Sequence, residues 1–474
     1  MSFTAAERSD GLPLPRRYWA ILTIALGIIM AVMDGAIANV ALPTIARDLN
    51  ALPAFSIWIV NGYQLAVTIS LLPLSSLGEI VGYRRVYLAG LLLFTLASLL
   101  CAAADTLVLL TAVRIVQGFG AAGILSVNAA LVRFIYPRNQ LARGVGVNTV
   151  VVAISSALGP TVAAGILSVA SWPYLFSVNV PIGMVALALG WRCLPHTRPA
   201  AHGFDWRSAV LSAITFGVGI AAIDSFSHAE PLVNCLLMCA VAVVAGAALV
   251  YRETHSPTPP LLPVDLLSIP VFALSIATSI ASFCAQMLAL VALPFYLQSR
   301  FGYSAVQIGL MITPWPFAVA IAAPVAARLV GRYPAGLLGG VGLLVFASGL
   351  AALACLADNP ALIDVIWRMA LAGLGFGLFQ TPNNRTMLAA APRERAGGAS
   401  GMLGTARLLG QTLGASLVAL LLGRYPLSGT HLSLLVAVGF ALGGAVLSSL
   451  RLSKAGARGA EQVRVHDDQR FKGE

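Results

Sequence analysis

Charge is what this sequence has least of. Asp, Glu, Lys and Arg make up only 10% of its 474 residues, while 58% are hydrophobic. A soluble domain carries about 25% charged residues, so this chain, with a mean hydropathy of +0.87, lacks the polar surface that water requires. A soluble enzyme is excluded on that ground. Cysteine chemistry is equally short of material. Cys101, Cys193, Cys235, Cys239, Cys284 and Cys355 lie in or beside apolar runs, with no CxxC pair and no His at metal spacing, so neither a disulfide framework nor a zinc site is indicated. They read as small apolar packing residues. There is no GxxxxGK[ST] loop, so ATP is not the implied energy source. The net charge of +11 raises the question of nucleic acid. Its basic residues, however, come in ones to threes between apolar runs, never as a patch with interleaved aromatics. No cofactor, metal or nucleic-acid partner is expected.

What is present is a succession of apolar runs. A helix needs about 20 apolar residues to cross a hydrocarbon core of ~30 Å, and fourteen such runs recur, from about 18–43 to about 431–450. The first follows Arg16-Arg17, is too long for a signal-peptide core and has no early small-residue cleavage site. It reads as an uncleaved first span. Fourteen spans put both termini on one side. With that side inside, only Arg47, Arg300 and Arg424 fall outside and Arg114, Arg368 and Arg407 fall within spans, the rest of the 29 basic residues lying inside. Positive loops stay cytoplasmic, so both termini are expected in the cytoplasm.

An internal repeat is visible in the glycines. Gly118, Gly120, Gly146 and Gly159 match Gly373, Gly375, Gly401 and Gly414 at a constant offset, which makes spans four and five resemble spans twelve and thirteen. Repeated halves are a common transporter construction. The expected organisation is an N-terminal six-helix half (1–195), two inserted helices with a linker (196–265), a C-terminal six-helix half (266–451) and a solvated tail (452–474).

Asp34 is the one acidic residue placed well inside a run. A carboxylate at that depth costs about 2.5–3.5 kcal/mol on insertion scales and by default marks a function. At 1.5 Å per residue, Asp34 lies about 24 Å from the inner edge and Arg114 about 20 Å from it, so the two are level to within a helical turn and pairing is open to them. Arg368 and Arg407 are also candidates for burial, since an Arg cannot shed its charge.

The stretch Leu110-Thr-Ala-Val-Arg114-Ile-Val-Gln117-Gly118-Phe-Gly120-Ala121-Ala122 resembles, without a gap, the fourth-helix motif of major facilitator superfamily antiporters. Asp34 to Pro43 resembles the first-helix signature of the fourteen-span drug:proton antiporters. Gly78-Glu79-Ile-Val-Gly82-Tyr-Arg84-Arg85 resembles the family's loop after helix two, and Gly159-Pro160 its fifth-helix antiporter motif. The sequence departs from these patterns at Ser75 and Glu79 in the loop motif, and at Ser155 and Ala163-Ala164 in the fifth helix. The resemblance covers residues from about 18 to 450.

What the resemblance implies is an all-α major facilitator fold of two six-helix halves plus two inserted helices, driven by the proton motive force. Asp34 and Arg114 would couple protons. Gly78, Glu79, Gly82, Arg84 and Arg85 would form a gating loop on the cytoplasmic side. Tyr63, Gln64, Gln286, Trp315, Phe317, Phe379, Gln380 and Asn383 are candidates to line a substrate cavity. The expected activity is export of small amphipathic compounds across a bacterial inner membrane by a monomer. A dedicated metabolite exporter and a non-transporting membrane sensor or scaffold are the alternatives. With one deep acid against three arginines, dicationic substrates are expected to be handled poorly.

Overall fold

The computed structural model describes residues 11–137, 140–197, 203–227, 231–255, 264–330, 332–357, 360–391 and 396–471. Among them there is no strand. In chain order the helices are α1 (Arg16–Asp48), α2 (Pro53–Ser56), α3 (Trp58–Val81), α4 (Tyr83–Ala102), α5 (Leu107–Ile135), α6 (Leu141–Val169), α7 (Pro173–Ser177) and α8 (Asn179–Cys193). Then come α9 (Trp206–Ser227), α10 (Leu232–His255), α11 (Pro270–Phe301), α12 (Ala305–Ile312), α13 (Pro314–Leu329) and α14 (Ala335–Ala354). The last are α15 (Leu362–Ala390), α16 (Ala396–Arg424) and α17 (Gly429–Phe471). The short helices α2, α7 and α12 each join their successor into one crossing, giving 14 segments long and apolar enough to span a bilayer. This is a multi-pass membrane protein. α17 continues as a helix beyond its crossing to Phe471, through the stretch expected as a tail.

Contacts group the chain into two compact units. One comprises 1–261, 290–313 and 415–433; the other comprises 262–289, 314–414 and 434–474. Both the inserted pair α9–α10 and the ends of several later helices therefore belong to the first unit, because long helices such as α11 and α16 pass from one unit to the other.

In lipid the usual amphipathic rule is inverted. On α4, Leu92, Leu96, Leu99 and Leu100 are exposed whereas Thr95, Ser98 and Cys101 are buried. Leu costs nothing against hydrocarbon, and the polar side chains hydrogen-bond inside instead.

Glycine sets the closest approaches, and it does so alike in each unit. In the first, a Cβ on Gly118 would sit 2.5 Å from the Tyr63 carbonyl oxygen, and one on Gly120 would sit 2.5 Å from the Phe94 nitrogen. In the second, Gly373 abuts the Trp315 carbonyl and Gly375 the Phe346 nitrogen. Gly159 meets Ala36 of α1 at 2.5 Å, and Gly414 meets the Cys284 carbonyl of α11 at 2.5 Å. The glycine repeat in the sequence is thus a repeat of backbone contacts, α5 on α3 and α4 in one unit and α15 on α13 and α14 in the other. Gly146 has nothing within 4 Å of such a Cβ and takes no part.

Replacing Gly120 or Gly375 by Ala forces backbone apart and should destabilise the detergent-solubilised protein by about 1–3 kcal/mol. Gly146→Ala should leave thermal unfolding within the wild-type range, and a loss equal to that of Gly120→Ala would contradict the packing argument.

Candidate functional site

The charge that the sequence places in the first crossing is held by a closed set of partners. Asp34, 2% exposed, accepts a hydrogen bond at Oδ2 from Arg114 Nη1. At Oδ1 it accepts from Gln117 Nε2 (3.1 Å) and from Asn179 Nδ2 (3.0 Å). Arg114 also donates from Nη1 to Gln117 Oε1 (2.6 Å) and from Nε to the Ile59 carbonyl (3.1 Å). Gln117 Nε2 donates to Ser98 Oγ at 2.9 Å as well. The Arg114 guanidinium lies over the Tyr63 ring at 4.3 Å and the Phe176 ring at 5.5 Å, while Tyr63 Oη donates to the Ala31 carbonyl at 2.9 Å. Helices α1, α3, α4, α5, α7 and α8 all contribute, and the whole cluster lies in the first unit.

Local sequence explains how the cluster is assembled. Arg114 and Gln117 are three residues apart, so they share one face of α5, and Gly118 and Gly120 let that helix approach its neighbours. Gly159 allows α6 to rest on Ala36, half a turn beyond Asp34. The fifth-helix motif also works at a second contact, because a Cβ on Gly309 of α12 would lie 2.8 Å from the Pro160 carbonyl and 2.8 Å from Ala164 Cβ. Nearby, the Thr161 and Thr313 hydroxyls are 2.9 Å apart, and Asn61 Nδ2 donates to Ser416 Oγ at 3.0 Å. These contacts tie α6 and α3 to α12 and α16 within the first unit. The Ala163-Ala164 departure places small side chains where α12 packs.

Two buried polar atoms in the cluster lack a partner, Arg114 Nη2 and Asn179 Oδ1. Three N–H donors point at one carboxylate. A carboxylate offers about four lone-pair sites and three are taken here, so a proton can enter at Oδ2, where it cancels the charge that holds Arg114. Protonation is therefore linked to the hold on Arg114 through charge, since a neutral carboxyl no longer pairs the buried guanidinium.

The second unit keeps the glycine contacts but not the charge. Where α1, α5 and α4 carry Asp34, Arg114, Gln117 and Ser98, the matching positions are Ala285, Met369, Ala372 and Leu350. Trp315 stands in the place of Tyr63, edge-on to Phe346 at 5.3 Å.

The structure also places the other residues that the sequence singles out. Gly78 and Glu79 lie in the last turn of α3, and Arg84 and Arg85 in the first turn of α4. The joint between the two helices is the single residue Gly82, whose φ of +99° suits glycine. Arg84 reaches the Trp191 carbonyl and His196, and Tyr83 N donates to Thr197 Oγ1 at 2.9 Å. Burial, then Arg84, Arg16 and Arg85, push the His196 imidazole below its ordinary pKa. Of the cavity candidates, Tyr63, Trp315, Phe379 and Asn383 are 3%, 2%, 1% and 0% exposed. Trp315 and Phe379 join Phe346 and Phe376 in an aromatic cluster, and Asn383 bonds Arg451 and Ser279. Gln64, Gln286 and Gln380 are half-buried and Phe317 is exposed. Arg368 is only a few residues into α15 and is held by Asp364, 2.9 Å from its carbonyl and 3.6 Å from its carboxylate. Glu79, Glu253 and Asp364 also lie within helices, but at their ends; Asp34 alone of these sits mid-helix. Ser98 and Asn179 were not singled out from sequence, although Asn179, beside Pro181 in an apolar run, was a signal.

Fold and site together describe a multi-pass membrane transporter with a buried ion pair on its first and fourth crossings. Residues 24–415 match the model of the Major Facilitator Superfamily, and the chain belongs to that family. It is 55% identical over 453 residues, 95% of this chain and 99% of the other, to the uncharacterized transporter YebQ of Escherichia coli (strain K12). It is 31% identical, over 85% of this chain and 76% of the other, to the multidrug resistance protein Stp of Mycobacterium tuberculosis. It is 28% identical, over 85% and 88%, to the riboflavin transporter RibZ of Clostridioides difficile. Among solved structures, a bacterial homolog of the human lysosomal transporter Spinster, inward-facing and occupied, superposes with a TM-score of 0.66 at 15% identity, covering 93% of this chain and 97% of that one.

Arg114→Met leaves the buried Asp34 charge unpaired and should cost about 3–5 kcal/mol of stability. Asp34→Asn/Arg114→Met together should recover most of it. Thermal unfolding in detergent checks this, and additive losses in the double variant would contradict a direct pairing.

Proposed function

We propose that this protein is a proton-coupled exporter of amphiphilic compounds, a drug:proton antiporter of the fourteen-span kind. It acts by alternating access in the inner membrane of a bacterium, as a monomer with both termini in the cytoplasm. The observation that carries the reading is the Asp34 carboxylate, buried mid-helix, met by three donors and paired with a buried guanidinium that loses its counter-charge when Asp34 is protonated. Proton binding there leaves the Arg114 cation without its counter-charge, and an unpaired cation beside the first crossing is a means of coupling protonation to movement. Proton entry and substrate exit would then compete through this cluster, with no nucleotide or metal needed. The contacts Thr161–Thr313, Asn61–Ser416 and Gly309–Pro160 lie at the periplasmic side under the proposed topology and would have to part when that side opens. Arg84 and its partners would latch the opposite side.

Relatives named for multidrug resistance support broad export, Stp among them. RibZ, named as a riboflavin transporter, supports a second reading, a dedicated exporter of one cell metabolite. The two readings share the proton mechanism and differ only in substrate range.

Asp34→Asn should abolish transport driven by an imposed pH gradient in proteoliposomes while the protein remains folded and inserted. Gradient-driven transport at the wild-type rate would remove Asp34 from the mechanism.

Substrate charge gives a further expectation. The mid-helix acid is already neutralised by Arg114, and like charges at 4 Å repel by about 4 kcal/mol at an effective dielectric of 20. Dicationic antiseptics should therefore be exported less than matched monocations. Resistance profiles of cells expressing the protein check this, and strong export of dications alone would contradict it.

A further inference from the structure

Apart from the Asp34 cluster, the first unit holds a groove of about 690 Å³ between α3, α4, α5 and α9. Its walls are apolar, with Ile69 and Leu77 of α3, Leu93 of α4, Phe119 of α5 and Val210 of α9 among them. One end is polar. Arg85, in the first turn of α4, and Trp206, the first residue of α9, both line it.

The groove's length matches one leaflet. Its α3 wall runs from Ile69 to Val81, which at 1.5 Å per residue is about 18 Å, and half of a hydrocarbon core is ~15 Å. It therefore starts at the membrane edge where α4 and α9 begin and ends near the midplane. Trp206 is 60% exposed at the level where tryptophan anchors to the interface.

Charge identifies the occupant's head. Arg85 is exposed, and its recorded hydrogen bond is a long one, 3.4 Å from Nη1 to the Val81 carbonyl. Arg16 and Arg84 stand at the same edge but are engaged, Arg16 with the Cys193 carbonyl at 3.1 Å and Arg84 with His196 and the Trp191 carbonyl. Glu79, the nearest acid in sequence, is absent from the groove wall. A cation at the polar end of an apolar groove one leaflet deep, between crossing helices, has the chemistry of a phospholipid site.

We propose that this groove holds one anionic phospholipid of the leaflet on the Arg85 side, with an acyl chain along α3 and the phosphate on the Arg85 guanidinium. Under the topology proposed above that is the cytoplasmic leaflet, but the site does not depend on proton coupling. The α9 wall belongs to the inserted pair, so the lipid fills the seam by which that pair joins α3 and α4. The pair is itself clamped at this edge. Asp205 accepts from Arg252 Nη2 at 2.9 Å and Nε at 3.3 Å, and from Ser208 N at 3.2 Å and Oγ at 2.9 Å. Desolvation opposes the Asp205 charge, but these bonds outweigh it and hold the carboxyl below its usual range.

The test is native mass spectrometry of the full-length protein in detergent, titrated with phosphatidylglycerol or phosphatidylcholine of identical acyl chains. The wild type should retain one phosphatidylglycerol at least fivefold more strongly than phosphatidylcholine. Arg85→Gln should abolish that preference and Arg85→Lys should keep it. Ala213→Trp, which fills the groove from α9, should lower retention of both lipids, and Arg300→Gln, away from the groove, should change neither. Each variant is compared only where its size-exclusion profile and thermal unfolding match the wild type. Equal retention of the two lipids by the wild type, undiminished preference in Arg85→Gln, or undiminished retention in Ala213→Trp would overturn the proposal.

Discussion

A carboxylate in the middle of a bilayer has to be compensated, and much of the first unit is arranged around that requirement. Asp34 is surrounded by a guanidinium and two carboxamides contributed by two other helices, α5 and α8, and the second layer of partners brings in α3 and α4. Such a cluster fixes the position of each helix more tightly than apolar packing does, because a displaced donor leaves a buried charge exposed to hydrocarbon. The glycines at 118, 120 and 159 bring the helices close enough for these bonds to form. The side chains that meet at Asp34 are short enough to bond directly only if the backbones carrying them come close.

The comparison between units shows which features serve packing and which serve chemistry. Gly118, Gly120 and Gly159 have counterparts that make the same backbone contacts in the second unit. Asp34, Arg114, Gln117 and Ser98 are replaced there by Ala, Met, Ala and Leu, and an aromatic cluster occupies the equivalent interior. The repeated scaffold therefore does not need the ion pair, which supports the coupling proposed for it. The second unit buries a cation of a different kind. Arg451 bonds Asn383, Ser275 and Ser448, neutral groups that satisfy its donors without a titratable partner.

Much of this was legible in the sequence, because hydrophobic length and helical rise are simple quantities. Fourteen crossings, the level at which Asp34 and Arg114 meet and the glycine repeat all follow from counting residues. What was not legible is which way a side chain faces. Trp315 and Phe379 suit a cavity by their aromatic character alone, and only the structure shows both buried against other aromatic rings. Asn179 and Ser98 drew no notice, since a single amide or hydroxyl in an apolar run gives no periodic signal. Charge at Glu79, Arg84 and Arg85 suggests a loop in the sequence, whereas these residues lie on the helix turns that flank Gly82.

The central claim is that a proton on Asp34 and a bound substrate exclude one another. Proton release on substrate binding measures this most directly, with purified protein in weakly buffered detergent solution and a pH-sensitive dye. The account predicts that an exported amphiphile displaces protons from the wild type and none from Asp34→Asn, although the variant still binds it. Release of the same number of protons by the variant, or none by a wild type that binds the compound, would contradict it.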